Sequence, residues 1–251
     1  MWSGPSSNWC RESSPVRWPQ MFRYCRYCFF GRTFSCYRST QATNRGLHRL
    51  VSDEEHERWN RRYRERGTRD VEPSPHLLTY ADILPRTGRV LDVAGGDGGN
   101  AIWLAQRGLQ VTIVDISEAG LALAATHAQR AGVEVKTVVA DLDREPLPDG
   151  PWAVIIDFYF LARSLIPRMV AGLAPDGVLL WVHPTRSNRL RHPRPGARFL
   201  LDDGEASRLI ADLASDDFRI IEIREGWQTN GRHESIVVLQ RSNIVAPIPD
   251  D

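Results

Sequence analysis

Three acids stand at the ends of short apolar runs: Asp92 in Val90-Leu-Asp-Val93, Asp115 after Val111-Thr-Ile-Val114, and Asp141 after Val135–Ala140. Between the first two lies Ala94-Gly-Gly-Asp-Gly-Gly99, a turn whose backbone a ligand can approach with few side chains in the way. A carboxylate beyond the second run can accept both hydroxyls of a ribose, and Asp141 or the amide of Leu142 can reach an adenine edge. Singly, each feature is ordinary: glycine turns join many strands to helices, and an acid there often caps a helix or faces solvent. Three acids on consecutive strand ends, behind one glycine loop, point to a nucleoside-bearing ligand.

Gly96-Asp-Gly98-Gly-Asn-Ala101 also satisfies the G-x-G-x-x-A pattern of a dinucleotide site, with Asp115 at about the right distance for a ribose contact. Electrostatics oppose that reading. A pyrophosphate seeks unopposed amides at a helix N-terminus, whereas Asp92 and Asp97 place carboxylates beside it. A cationic ligand without phosphate fits better.

The elements that must hold these residues alternate. Ser52-Asp-Glu-Glu55 reads as a capping box opening a first helix, in which Glu54–Arg58 and Glu57–Arg61 are i,i+4 pairs and Trp59 and Tyr63 share a face. Arg66-Gly67 ends it, and Pro73-Ser-Pro75 starts a second helix carrying Leu77, Leu78, Tyr80, Ile83 and Leu84. Strands are expected at 90–93, 111–114, 135–139, 153–156, 178–182, 218–223 and 235–239. Helices are expected at 100–107, from Ser117 to Gly132, at 165–173 and at 205–213, with a turn at 174–177. Buried apolar strands alternating with helices imply an α/β fold: a mostly parallel sheet of seven strands, the last antiparallel, with helices on both faces. Ligands of such sheets bind beyond the carboxyl ends of the strands.

With these elements in place, Val90-Leu-Asp-Val-Ala-Gly-Gly-Asp-Gly-Gly-Asn100 resembles motif I of class I S-adenosylmethionine-dependent methyltransferases, with Ala94 replacing the first glycine and Gly99 a common arginine. Trp59-Asn-x-x-Tyr63, the stretch Val154–Arg163, Leu173-Ala-Pro-Asp-Gly177, Arg198-Phe-Leu-Leu-x-x-Gly-Glu205 and Arg232-His-Glu234 are similar to the tellurite-resistance TehB-like branch. The set spans about Ser52 to Arg241. The resemblance implies a Rossmann-like methyltransferase fold with S-adenosyl-L-methionine as cofactor. It assigns Asp92, Gly96 and Gly98 to the methionine portion, Asp115 to the ribose, Asp141 with Leu142 to the adenine, and Ala94, Ile116 and Asp157 to the cofactor site. Trp59 and Tyr63 would close over the cofactor, or form a simple hydrophobic pair.

The acceptor side is expected after the fourth, fifth and last strands, where Asp157, Tyr159, Arg163, His183, Arg232 and His233 lie. Arg163, Arg232 and His233 are the candidates for catalysis, since they can offset an anion or take a proton. The expected acceptor is a small molecule, anionic or a soft nucleophile. Two rival readings remain, a cofactor-binding protein without catalysis and an NAD-dependent oxidoreductase.

Charge separates the chain into parts. Residues 1–51 hold eight arginines against one acid, Glu12, so the rest of the chain has a net charge of −6 although the whole is +1. An acidic body lacks the footprint of a nucleic-acid binder. No apolar run is long enough to cross a bilayer. All four cysteines (Cys10, Cys25, Cys28, Cys36) fall in the first 36 residues, which excludes a disulfide framework for the body and permits a cytoplasmic home. Residues 1–51 also hold ten of the 22 aromatics without helical or strand periodicity. They are expected to be an upstream extension; a transit peptide and a zinc site at Cys25 and Cys28 are the alternatives, and no metal is expected in the body. The expected methyltransferase domain is 52–241, with a disordered tail at 242–251.

Overall fold

A computed structural model of the chain describes Met1 and residues 53–213 and 217–243. The chain divides into units of residues 1–47 and 48–251; apart from Met1, every described residue lies in the second. The cysteine pair, Ser52 of the capping box, the boundary at 51/52 and the tail beyond 243 lie outside the described residues.

Helix α1 spans 53–66. Its ion pairs differ from the expected ones: Arg58 pairs with Glu55, and Arg64 with Glu57. Those side chains are exposed enough for rotamer freedom, not spacing, to choose the partner. Trp59 and Tyr63 do stack, with ring centroids 6.0 Å apart. Helix α2 is only Pro75–Thr79, capped by Ser74. A succession of turns, not helix, carries the chain to Leu84, with Leu77, Tyr80 and Leu84 buried and Leu78 and Ile83 exposed.

The alternating part follows as β1 (Arg89–Val93), α3 (Gly99–Gln106), β2 (Gln110–Asp115), α4 (Glu118–Ala131), β3 (Val135–Val139) and β4 (Trp152–Phe158). It continues with α5 (Ile166–Ala171), β5 (Leu173–Pro184), α6 (Glu205–Ala211), β6 (Phe218–Trp227) and β7 (His233–Arg241). One sheet runs in the order β3-β2-β1-β4-β5-β7-β6, parallel except at β7, which is antiparallel to β5 and β6. Ser117 accepts from the Gly120 amide at the start of α4, and Gly132 ends that helix with φ 68°.

Alternation along the strands builds two cores. Val90, Ile156, Leu180 and Ile236 pack with Leu77, Leu104 and Ala124 of α2, α3 and α4. Leu91, Ile155, Leu179 and Val237 face the other way, onto Met169 of α5 and Ile210 of α6. Both faces of the central strands are thus covered, which is why they read as continuous apolar runs.

Candidate functional site

Beyond the carboxyl ends of β1 and β2 the glycine loop folds tightly. Ala94 (φ 53°) and Gly96 (φ 57°) both adopt left-handed backbone, and Gly98 does so as the N-cap of α3. Asp115 braces the loop from β2: its Oδ2 accepts from the Gly96 amide at 2.9 Å and its Oδ1 from the Ser117 amide at 2.7 Å. Each oxygen retains acceptor capacity for a further donor.

Asp92 is 3% exposed, and its Oδ2 is buried with no hydrogen-bond partner. Burial pushes its carboxyl up to about 8, and the charges of Asp115 and Asp97 add to the shift. Burial also raises Asp115, against the opposing pull of the Ser117 and Gly96 amides. Asp157, fully enclosed at the end of β4, is raised well above the usual range by burial; the Phe160 amide opposes this and Asp92 adds to it. Acids that raise one another in a dry place form a site short of positive charge.

Helix α1 lies over this loop. Asn60 accepts from Ser117 Oγ at 2.8 Å and from the Ala119 amide at 2.9 Å, and Arg66 pairs with Asp97 at 2.7 Å. Tyr63 approaches so closely that a Cβ on Gly96 would stand 2.0 Å from its hydroxyl. Burial, then Asp115 and Asp97, keep that phenol from ionising. Asp141 begins the turn after β3, receives the Asp143 amide at 3.1 Å and pairs with Arg144, while Leu142 beside it is buried. Ile116, half-buried, connects Asp115 to the α4 cap.

The acceptor-side candidates are not brought together. Arg163 is committed to Glu205 and to the Leu200 carbonyl, and the pairing holds Glu205 below its usual range. His183 is buried, its Nε2 donates to the Phe199 carbonyl at 2.9 Å, and burial pushes it down to about 4, so it stays uncharged at neutral pH. His233 meets Thr185 Oγ1 at 2.7 Å through Nδ1 and packs edge-on against Trp227. It stands among Asp203 and Glu225, the ligand atoms of the three lying within 4.8 Å of one another. Arg232 instead lies over the Tyr159 ring at 5.1 Å.

Sequence reasoning missed what lies next to Tyr159. Glu234, with no side-chain exposure, lies 2.8 Å from His76 Nε2, and Tyr159 and Asn230 hydrogen-bond the same carboxylate. Burial alone would raise Glu234; His76 and its other partners outweigh burial and hold it low. Tyr159 has φ 72°, a conformation that a bulky residue adopts at a cost, and its ring remains partly open. A histidine in a five-residue helix carries no signal of its own; only its partner lay within a motif.

Residues 90–177 match the family described as a methyltransferase domain. They contain the glycine loop, Asp92, Asp115, Asp141 and Asp157. The matched segment is about a third of the chain, and in it the chain is similar to class I S-adenosylmethionine-dependent methyltransferases. It is 33% identical to a trans-aconitate 2-methyltransferase of Variovorax paradoxus, over 53% of this chain and 53% of that one. It is 32% identical to a ubiquinone biosynthesis O-methyltransferase of Marinobacter nauticus, over 41% of this chain and 48% of that one. The chain thus spans about half the length of the curated relatives it matches. Two solved structures show the same fold. One concerns conversion of a disulfide bond into a thioacetal group during echinomycin biosynthesis (TM-score 0.57, 19% identity, 76% of this chain and 94% of that one). The other is TehB from Haemophilus influenzae (TM-score 0.51, 20% identity, 66% and 61%). Among the described residues, no helix is long and apolar enough to cross a membrane.

The cofactor of the class is S-adenosylmethionine, and the residues present suit it. Its ammonium and sulfonium are cationic, and Asp92 offers a buried carboxylate oxygen with no partner.

Proposed function

We propose that this chain transfers the methyl group of S-adenosylmethionine to a small, anionic or soft nucleophilic acceptor. The orphaned carboxyl of Asp92, hemmed in by Asp115 and Asp97, carries the reading, because a buried acid held neutral by negative neighbours marks a place that favours a cationic cofactor over the pyrophosphate of NAD. In this assignment Asp92, Ala94, Gly96, Gly98 and Asp157 take the methionine portion, Asp115 and Ile116 the ribose, and Asp141 and Leu142 the adenine. Trp59 and Tyr63 cover it from α1.

Bound S-adenosylmethionine supplies a methyl group already activated by its sulfonium, so the protein's part is alignment and desolvation. Arg232 is the cation best placed to hold an anionic acceptor, since Arg163 is committed to Glu205. Tyr159, between Arg232 and Glu234, presents its hydroxyl on that side, and the Glu234–His76 pair fixes it. His233 supports the Thr185 side and has no contact with this group in the assignment. The relatives named for trans-aconitate and for ubiquinone biosynthesis support a small-molecule acceptor. The net negative body supports the same exclusion of nucleic acid.

Calorimetric titration with S-adenosylmethionine and with NAD tests the cofactor, and transfer of tritium-labelled methyl to trans-aconitate, a hydroxybenzoate, tellurite and bulk tRNA tests the acceptor. Binding of S-adenosylmethionine alone, with label in a small acceptor, is expected. Saturable NAD binding in its place, or label only in tRNA, overturns the reading.

A further inference from the structure

A cleft of about 320 Å³ opens between α3 and α4, away from Asp115 and the acceptor side, with the segment before α2 as its rim. Its floor is apolar, from Val71, Ile102 and Trp103, and its mouth carries Arg69 and Arg130. Neither arginine makes an ion pair or side-chain hydrogen bond with the described residues. Asp70 is the one acid on the wall, so the charge of the lining is positive in a body that is otherwise negative.

His127 lies on the same wall and is 5% exposed. Its Nδ1 is 3.0 Å from the Asp97 carbonyl, which can only accept, so Nδ1 carries a proton. Its Nε2 is buried and has no partner.

We propose that this cleft binds a small organic carboxylate with a flat apolar body, and that its occupation tightens the glycine loop. The apolar floor takes the body of the ligand, Arg69 and Arg130 take the carboxylate, and the His127 ring forms part of the wall beside it. The link to the loop is short. His127 holds the Asp97 carbonyl, Asp97 holds Arg66 of α1, and Gly99, the first residue of α3, forms part of the cleft wall. A ligand that fixes His127 therefore fixes the turn that Asp92 and Gly96 share. The coupling arm rests on the cofactor assignment above; the binding arm does not.

The test uses the full chain and benzoate as probe, followed by calorimetry or ligand-observed NMR, with benzyl alcohol as its uncharged counterpart. Benzoate is expected to saturate one site, with benzyl alcohol at least about tenfold weaker. Arg69→Gln with Arg130→Gln should weaken benzoate by about tenfold or more, which corresponds to losing a charge-assisted contact. His127→Asn, which can keep the bond to the Asp97 carbonyl but shortens the wall beside the ligand, should weaken it several-fold. Saturating benzoate should tighten S-adenosylhomocysteine, and the reverse, by one common factor. Absence of saturable benzoate binding, equal binding of benzyl alcohol, or variants with unchanged affinity overturns the site. Binding without mutual tightening overturns the coupling. Benzoate binding in a chain that takes no S-adenosylhomocysteine at all supports the site and overturns the cofactor assignment instead.

Discussion

Glu234 Oε2 lies 2.8 Å from Nε2 of His76, a contact across 158 residues of chain that joins β7 to α2 behind the proposed acceptor side. Its neighbour in sequence, His233, is engaged with Thr185 and Trp227 instead, because successive strand residues face opposite sides of a sheet. The Arg232-His-Glu234 motif is therefore three residues with three settings.

That division predicts separable effects. Arg232→Ala should reduce turnover of an anionic acceptor, with most of the loss in KM, while cofactor affinity stays unchanged. His233→Ala should leave KM for the acceptor nearly unaltered and lower stability by about 1 kcal/mol through loss of the Thr185 contact. Steady-state kinetics with thermal melts of each variant check this; equal KM effects from both would refute it.

Glu234→Gln should uncouple the buried pair. In the folded chain Glu234 is held below its ordinary value, so its contribution to stability is present above the unfolded carboxylate range. It is lost as pH falls through the folded value. Wild-type stability should thus drop more steeply than that of Glu234→Gln on acidification from about pH 5 to about pH 3, read from urea midpoints. Parallel slopes would remove the pair from the argument.

Asp92 has the opposite sign. Its folded value, about 8, lies above the unfolded one near 3.8, so its share of stability is complete below about pH 4. That share is lost as pH rises to 8. The free protein should melt lower at pH 8 than at pH 5.5, saturating S-adenosylmethionine should offset the loss, and Asp92→Asn should flatten the slope. The same variant should weaken the cofactor about tenfold or more. A pH-independent gain from cofactor would count against a cation beside Asp92.

Asp115→Ala should weaken S-adenosylmethionine by about 1.5–3 kcal/mol, since it removes the proposed ribose acceptor and frees the Gly96 and Ser117 amides. An unchanged dissociation constant by calorimetry, with the fold intact, would end the ribose assignment.

Gly96→Ala should be poorly tolerated, for a left-handed alanine costs about 1–2 kcal/mol and its Cβ would strike the Tyr63 hydroxyl. Tyr63→Ala should recover the steric part of the loss but not the backbone part. Additive thermal shifts in the double variant would show that α1 does not rest on the loop.

Much of this was legible from the residues because it is local. The limits of β3 and the caps of α4 at Ser117 and Gly132 depend on their own sequence, and they stand where expected. What failed depends on pairing. β4 runs on to Phe158 because β5 continues beside it, and β5 takes in the Ala174–Gly177 turn because Trp152 pairs with Leu173 before the register shifts. The glycine loop and its acids were readable as a motif. Arg163 was singled out for its charge, but the carboxylate that engages it lies 42 residues on. His76 had no sequence signal, since its role is created by a residue at the far side of the sheet.

The strand order has a consequence for how the chain is made. β7 is inserted between β5 and β6, so β6 cannot join the sheet until the residues after it have appeared. During synthesis the half holding β1 to β3 can close around the glycine loop while β5 still exposes an unpaired edge. Glu234 reaches His76 only when β7 fills that gap. A nascent chain stalled after β6 would thus have the parts of a cofactor pocket and no acceptor side, and its open β5 edge would be the surface a chaperone or another chain meets first.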